Sequence, residues 1–205
     1  MPVTVHVVDS TIYLDTQRFR RLGSVESSDI VVMVGAMCNG NQQIVAEITQ
    51  RVGFHQIGKL IFYGHAAPGI MNTSAGKSSG LAQNSGFGAS CKPGQPCDEA
   101  QWQILRPYFA NGGVVVLKGC NVAQGDAGRT LLLRLSAAFG VPVYGSDWYQ
   151  ATGVSYLVGH VFKASPDGAI TQDKVNPGGG LWHLFRDDPV TAVAVGIAEL
   201  FYDPR

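Results

Sequence analysis

The sequence predicts an α/β protein, a three-layer α/β/α sandwich around a mainly parallel sheet with an antiparallel hairpin near its C-terminal end. Short apolar runs rich in β-branched residues alternate along the chain with stretches that carry apolar residues at helical spacing. The clearest pair is a strand at residues 114–118 followed by a helix at residues 126–139, which ends at Gly140. Such alternation is typical of parallel strands covered by helices on both faces.

The remaining elements follow from the same patterns. The predicted parallel strands are residues 3–8, 29–37, 59–63, 114–118 and 141–145. The predicted helices are residues 39–51, 98–109, 126–139 and 191–202, the second of them shortened or kinked by Pro107. Residues 156–163 and 169–172 flank the turn sequence SPDG, which predicts the antiparallel hairpin.

The length of 205 residues suits one α/β domain. We expect residues 1–205 to form this single domain, with a core of about residues 28–153 and a C-terminal appendage at residues 176–205. Residues 66–97 are rich in Gly, Ser and Asn and show no hydrophobic period, so they predict a long insertion loop directly after His65. Such a loop is either a tolerated surface insertion, an active-site lid or a cleavable segment.

Composition limits the partners and cofactors. Lysine and arginine together number 15, as do aspartate and glutamate, so no basic field attracts nucleic acid or an anionic membrane, and we expect neither partner. No apolar run approaches the ~18 residues needed to span a bilayer. Residues 1–10 lack the features of a signal peptide, so we expect a cytoplasmic protein, with export by a non-classical route left open.

The cysteines, histidines and glycines also limit the chemistry. The Cys and His spacings do not match a metal site, the glycines do not match a nucleotide-binding loop, and we expect no metal and no cofactor. Cys91 and Cys97 share one Pro/Gly-rich segment and could form a local disulfide under oxidising conditions. Nothing in the sequence predicts an oligomeric state.

A thiol and an imidazole follow two of the predicted strands. Cys120 comes directly after residues 114–118, and His65 comes directly after residues 59–63. The 55 residues between them are ample for a right-handed crossover, so the two strands can be parallel neighbours that end at the same edge of the sheet. The carboxyl edge of an open parallel sheet is where ligands bind. The pattern therefore predicts a cysteine-nucleophile site, and the helix after Cys120 favours its thiolate.

Two segments at these strand ends carry a family resemblance: GHAAPG at residues 64–69 and GCNVAQGDAG at residues 119–128. They resemble motifs of the caspase-like cysteine peptidases of clan CD, and more closely those of a caspase-like domain of unknown function found in large bacterial surface and repeat proteins. The resemblance extends over roughly residues 28–153. It implies a caspase-like α/β/α fold and a His/Cys dyad, in which Cys120 is the nucleophile and His65 the general acid and base.

The same resemblance implies an oxyanion hole built from the backbone amides of Cys120 and Ala66. The superfamily usually has glycine directly after the histidine, where this chain has Ala66. Cys38 also follows an apolar strand and is the alternative nucleophile, although it lacks the glycine pattern around Cys120.

Substrate selection is expected to depend on an acidic residue of the same edge. Asp147 follows the strand next to the Cys120 strand. In a structural role it caps a turn or pairs with a surface cation. In a functional role it lies at the floor of a pocket that selects Arg or Lys before the scissile bond. The pocket is the role that acidic residues have in the basic-specific members of the superfamily that this chain resembles. Asp9 is the next candidate on this edge, and the arginines of residues 18–21 are the basis of the opposite, acid-selecting interpretation.

Three functional hypotheses follow. The first is a cysteine endopeptidase that acts on protein or peptide substrates, with cleavage after basic residues and self-processing as further expectations. The second is a non-catalytic caspase-like module that binds a peptide or a partner protein in the same crevice, for which Ala66 in place of glycine is the support. The third, a flavodoxin-like ligand binder, fits the strand pattern but explains neither motif.

Overall fold

A computed structural model describes residues 1–9, 19, 25–34, 40–72, 86–88, 99–150, 157 and 159–173. Within this part of the chain the predicted fold class is confirmed. A seven-stranded, mainly parallel sheet is flanked by helices and ends in an antiparallel pair of strands, which is consistent with a three-layer α/β/α sandwich.

The large sheet contains β1 (Val3–Asp9), β2 (Ile30–Val34), β3 (Ile57–Tyr63), β7 (Phe109–Lys118), β8 (Val143–Ser146), β9 (Val161–Ala164) and β10 (Ile170–Asp173). A small antiparallel sheet contains β4 (Ala66–Ala67), β5 (Ile70–Asn72) and β6 (Gly86–Gly88). The helices are α1 (Gly40–Arg51), α2 (Glu99–Gln103) and α3 (Gly125–Phe139), with a 3₁₀ turn at Arg106–Tyr108.

The strand order of the large sheet is β10-β9-β8-β7-β3-β1-β2. From β8 to β2 all neighbours are parallel, whereas β9 runs antiparallel to both β8 and β10. β7 is the fourth of the seven strands, and β3 is its neighbour. The ends of β1, β2, β3, β7 and β8 therefore lie along one side of the sheet, called the carboxyl edge below.

Most of the described core lies between one face of the sheet and the three helices. Alternate residues of the strands face it, and α3 adds a continuous stripe that includes Leu131, Leu135 and Phe139. Gly140 ends α3 with a positive φ of 73°, the left-handed conformation that glycine adopts without strain. The opposite face carries two smaller clusters, one around Val116 and one that includes Phe19.

The prediction of a loop without structure at residues 66–97 is wrong for its described part. Residues 66–72 and 86–88 form the small sheet, and Met71 is fully buried in the main core. A single methionine in a polar segment gives no period in the sequence, which is why the anchor is missed. The other residues of this segment, including Cys91 and Cys97, lie outside the described residues.

The segment before β7 also differs from the prediction. The expected helix at residues 98–109 is a five-residue α2 and a 3₁₀ turn that contains Pro107, whose ring cannot continue an α-helix. β7 starts at Phe109, before the predicted residue 114, because Gly112, with a φ of 76°, absorbs a shift in the register with β3. The predicted hairpin is confirmed as β9 and β10, while the C-terminal helix at 191–202 lies outside the described residues.

Candidate active site

Cys120 lies two residues beyond the end of the central strand β7, and His65 lies two residues beyond the end of β3. The last residues of these strands, Tyr63 and Lys118, are direct partners in the parallel register. Adjacent strands lie about 4.8 Å apart. The fold therefore brings the thiol and the imidazole to neighbouring positions of the carboxyl edge, as the motifs predict.

The two strand ends pack backbone to backbone. Any side chain at Gly119 would collide with Cβ of Ala66 and approach the carbonyl oxygen of Gly64 to 3.2 Å. Gly64 is equally confined, because a Cβ there would collide with the carbonyl oxygen of Asn72. Gly119 is thus explained by close approach of the segments that carry His65 and Cys120, and Gly64 by close approach of β5.

The two amides assigned to an oxyanion hole have no partner in the described structure. Asn72 N–H donates to the carbonyl of His65 at 2.9 Å, which makes Ala66 and Met71 a non-hydrogen-bonded pair of the β4–β5 ladder. The N–H of Ala66 therefore points away from β5. Cys120 N–H likewise has no acceptor among the described residues. Backbone amides are rarely left unpaired unless they meet water or a ligand, so both amides are open to a hydrogen-bond acceptor from outside the described residues.

The Cys120 thiol is half-buried, free and held by the loop after β8. The backbone N–H of Gln150 donates to Sγ at 3.4 Å, and the thiol donates to the carbonyl oxygen of the same residue at 3.9 Å. That loop is fixed in turn, since Asn121 N–H donates to the Trp148 carbonyl at 2.9 Å and the Gln150 side chain donates to Ser146 Oγ at 2.9 Å. Sequence analysis missed Gln150, because a backbone contact across 30 residues leaves no signature in residue type.

The His65 side chain is exposed. It makes no hydrogen bond or ion pair within the described part of the chain, and none to Cys120 in particular. In unliganded enzymes, catalytic hydrogen bonds are often long and tighten only when substrate binds.

Asp147 lies at the carboxyl edge after β8, and its carboxylate already has a partner. Oδ1 accepts the backbone N–H of His160 at 2.9 Å, and Oδ2 lies 3.0 Å from His160 Nδ1. The pair remains accessible to solvent, with 22% of the Asp147 side chain and 57% of the His160 side chain exposed. The pocket assigned to Asp147 stays a prediction, and it must now include His160.

Asp9, the second substrate-binding candidate, is placed less favourably. It ends β1, which is separated from β7 by β3, and only 1% of the residue is exposed. The structure therefore does not bring Asp9 together with Cys120. The rival nucleophile Cys38 and the arginines of residues 18–21 lie outside the described residues.

No group of three or more His, Cys, Asp or Glu side chains within the described ranges could hold a metal ion. No helix in the same ranges is long and apolar enough to cross a membrane.

Comparison with known proteins gives one match. A family model described as a domain of unknown function (DUF4347) matches residues 5–160, about three quarters of the chain. No curated protein and no solved structure matches. Because the matched segment spans far more than half of the chain and contains both His65 and Cys120, this chain belongs to the DUF4347 family.

Proposed function

We propose that this domain is a caspase-like cysteine endopeptidase, with Cys120 as nucleophile and His65 as general acid and base. The observation that carries the proposal is the placement of Cys120 and His65. Each lies two residues beyond the end of its strand, and the last residues of β7 and β3 are direct partners in the parallel register. The thiol is free, and the imidazole makes no hydrogen bond within the described residues. Two further features support it: the unpaired amides beside the thiol, and the Gln150 N–H directed at Sγ.

The chemistry follows from these positions. The Cys120 thiolate attacks the carbonyl carbon of the scissile peptide bond, and the amides of Cys120 and Ala66 bind the oxygen that becomes negative. The carbon–nitrogen bond breaks as His65 gives a proton to the leaving amine, which leaves a thioester. A water molecule then gives its proton to His65 and adds to the thioester, and cleavage of the carbon–sulfur bond releases the acid and restores the thiolate.

A second candidate function is a non-catalytic module that binds an extended peptide at the same edge. It is favoured by two exposed side chains near Cys120, because Tyr149 is 61% exposed beside Gln150 and Ile70 is 54% exposed in β5. Exposed aromatic and aliphatic residues of this kind are typical contacts for a peptide. In such a module the thiol would be an ordinary loop cysteine.

Labelling of the thiol tests the proposal directly. A peptidyl chloromethyl ketone at neutral pH is expected to alkylate Cys120, because the bound peptide places its electrophilic carbon against an ionised thiol. His65→Ala should slow this reaction by about 10²-fold, the lower range of general acid–base effects. Labelling of Cys120→Ala measures the reaction at the other cysteines of the chain and is subtracted. Mass spectrometry identifies the peptide that carries the label. Equal labelling rates in the wild type and His65→Ala would favour the non-catalytic module.

Specificity gives a second prediction, which concerns Asp147. If the pocket includes its carboxylate, peptides with Arg or Lys before the scissile bond gain a charge-assisted hydrogen bond of roughly 1.5–3 kcal/mol, about 10- to 100-fold in kcat/KM. Asp147→Asn is expected to abolish this preference, as measured on a peptide library.

The matched control for this prediction is His160→Gln, which keeps a hydrogen-bond donor beside Asp147 and leaves the carboxylate charged, so the basic preference should remain. A preference that survives in Asp147→Asn would mean that this carboxylate serves only to bind His160.

A further inference from the structure

Ser146, the last residue of β8, is a fully buried serine whose hydroxyl serves two donors. Its Oγ accepts a hydrogen bond from the backbone N–H of Trp148 at 3.1 Å and another from the side-chain Nε2 of Gln150 at 2.9 Å. A hydroxyl oxygen has two lone pairs, so both bonds can form at once. Removal of this oxygen would take the same acceptor from two donors in a buried position, which is destabilising.

Gln150 closes the segment after β8 on itself; residues 146–150 are called the β8 loop below. Besides Ser146 Oγ, the Nε2 of Gln150 binds the carbonyl oxygen of Trp148 at 2.8 Å. A side-chain amide nitrogen carries two N–H groups, which suit these two acceptors. The place of the Gln150 backbone therefore depends on the Ser146 hydroxyl.

The start of the β8 loop is fixed on both sides. Toward β7, Asn121 N–H donates to the Trp148 carbonyl at 2.9 Å. Ala123 N–H donates to the Ser146 carbonyl at the same distance. Toward β9, Gly159 has a φ of 90° and packs so closely that a Cβ there would collide with Cβ of Trp148 and lie 3.2 Å from Ser146 Oγ. The start of the loop is therefore a firm support for the residues that follow it.

The backbone of Gln150 meets the Cys120 thiol with both of its polar groups. Its N–H donates to Sγ at 3.4 Å, and the thiol donates to its carbonyl oxygen at 3.9 Å. Sγ makes no other hydrogen bond within the described residues. Among the hydrogen bonds of the described chain, only those to Gln150 hold the sulfur, and Gln150 is itself held by Ser146.

We propose that Ser146 is a positioning residue for Cys120, because its hydroxyl holds the Gln150 side chain and the Gln150 backbone holds the thiol. The hold on the thiol does not require peptidase activity, whereas its consequence for turnover rests on the proposed function. A nucleophile displaced by about 1 Å from its productive position reacts up to about 10²-fold more slowly. Loss of the Ser146 hydroxyl should therefore affect the reaction of the sulfur, although the two side chains share no hydrogen bond.

Hydrogen exchange of single backbone amides, followed by NMR, measures the hold on the loop. Ser146→Ala is expected to speed exchange at the Gln150 amide about tenfold, because two hydrogen bonds of ordinary strength are lost and local opening becomes easier. This amide is the one that donates to Sγ, so its exchange reports the contact with the thiol. An unchanged rate at Gln150 would overturn the inference.

Two further variants separate the Ser146 hydroxyl from a general loss of stability. Ser136→Ala removes another fully buried hydroxyl, which donates to the Val141 carbonyl at 2.8 Å near the end of α3, and it should leave exchange at Gln150 unchanged. Gln150→Met removes the Nε2 donor at nearly the same side-chain length and should speed exchange at residue 150 as much as Ser146→Ala does. Equal acceleration in Ser136→Ala, or the wild-type rate in Gln150→Met, would contradict the assignment to Ser146.

Peptide hydrolysis shows whether this hold matters for turnover. Ser146→Ala is expected to lower kcat about tenfold and to leave KM unchanged, because a displaced thiol slows attack on a substrate that binds as before. The double variant Ser146→Ala/Gln150→Met should be no slower than the slower single variant, since each change removes the same contact. A rise in KM at unchanged kcat, or an equal fall of kcat in Ser136→Ala, would mean that Ser146 does not position the nucleophile.

The two measurements separate this inference from the proposed function. Faster exchange at Gln150 in Ser146→Ala, in a protein that does not hydrolyse peptides, supports the hold on the thiol and contradicts the endopeptidase. Peptide hydrolysis that depends on Cys120, combined with a kcat or a Gln150 exchange rate indifferent to Ser146, supports the endopeptidase and overturns the inference.

Discussion

Replacing Cys120 or His65 by alanine is expected to reduce peptide hydrolysis by at least about 10³-fold. The first change removes the nucleophile, and the second removes the group that protonates the leaving amine. Because the two side chains act in one reaction sequence, the double variant should be no slower than the slower single variant. The measurement is kcat/KM on a peptide library, with far-UV circular dichroism to verify folding.

Mass spectrometry of the purified chain adds a test of self-processing. Wild-type protein is expected to release fragments on incubation, whereas Cys120→Ala should remain intact. Cys38→Ala is the matched control, because it removes a thiol that also follows an apolar strand in the sequence. Full hydrolysis by Cys120→Ala together with its loss in Cys38→Ala would move the nucleophile to Cys38.

The central strands, and the positions of His65 and Cys120 at their ends, could be predicted because their signals are local. β-Branched runs indicate buried strands, and glycines mark the positions where Gly64 and Gly119 leave room for close backbone contact. The parallel neighbours β3 and β7 follow from the crossover between them. From these features alone His65 and Cys120 are placed on one edge.

Features that depend on distant partners could not be predicted in this way. The contact of Gln150 with the thiol is a backbone contact, and the pairing of Asp147 with His160 joins residues that lie 13 positions apart. Lys118 is the clearest case. A lysine at the end of an apolar strand has the same local pattern whether its amine reaches solvent or stays buried, and only the neighbouring strands decide between the two.

Lys118→Met is expected to stabilise the fold by about 3 kcal/mol at pH 7. The folded chain takes up the proton only below about pH 7, while the unfolded chain does so below about 10.5. This fall in the pKa of Lys118 costs the folded state about 4 kcal/mol at neutral pH. Loss of the contact between the ammonium and Tyr63 offsets about 1 kcal/mol of the gain. Against a typical domain stability of about 5–15 kcal/mol, this is a large effect.

The pH dependence gives this prediction its sign. Between about pH 7 and 10.5 the unfolded chain binds more protons at Lys118 than the folded chain, so wild-type stability rises with pH in that window. The gain in unfolding free energy of Lys118→Met over the wild type should therefore fall by about 2 kcal/mol from pH 7 to about pH 9, and it should be constant below about pH 6.

Urea unfolding at several pH values measures this gain. Lys163→Met is the control, and its difference from the wild type should not change with pH. A difference in unfolding free energy between Lys118→Met and the wild type that does not change with pH would mean that the Lys118 amine keeps its ordinary pKa in the folded protein.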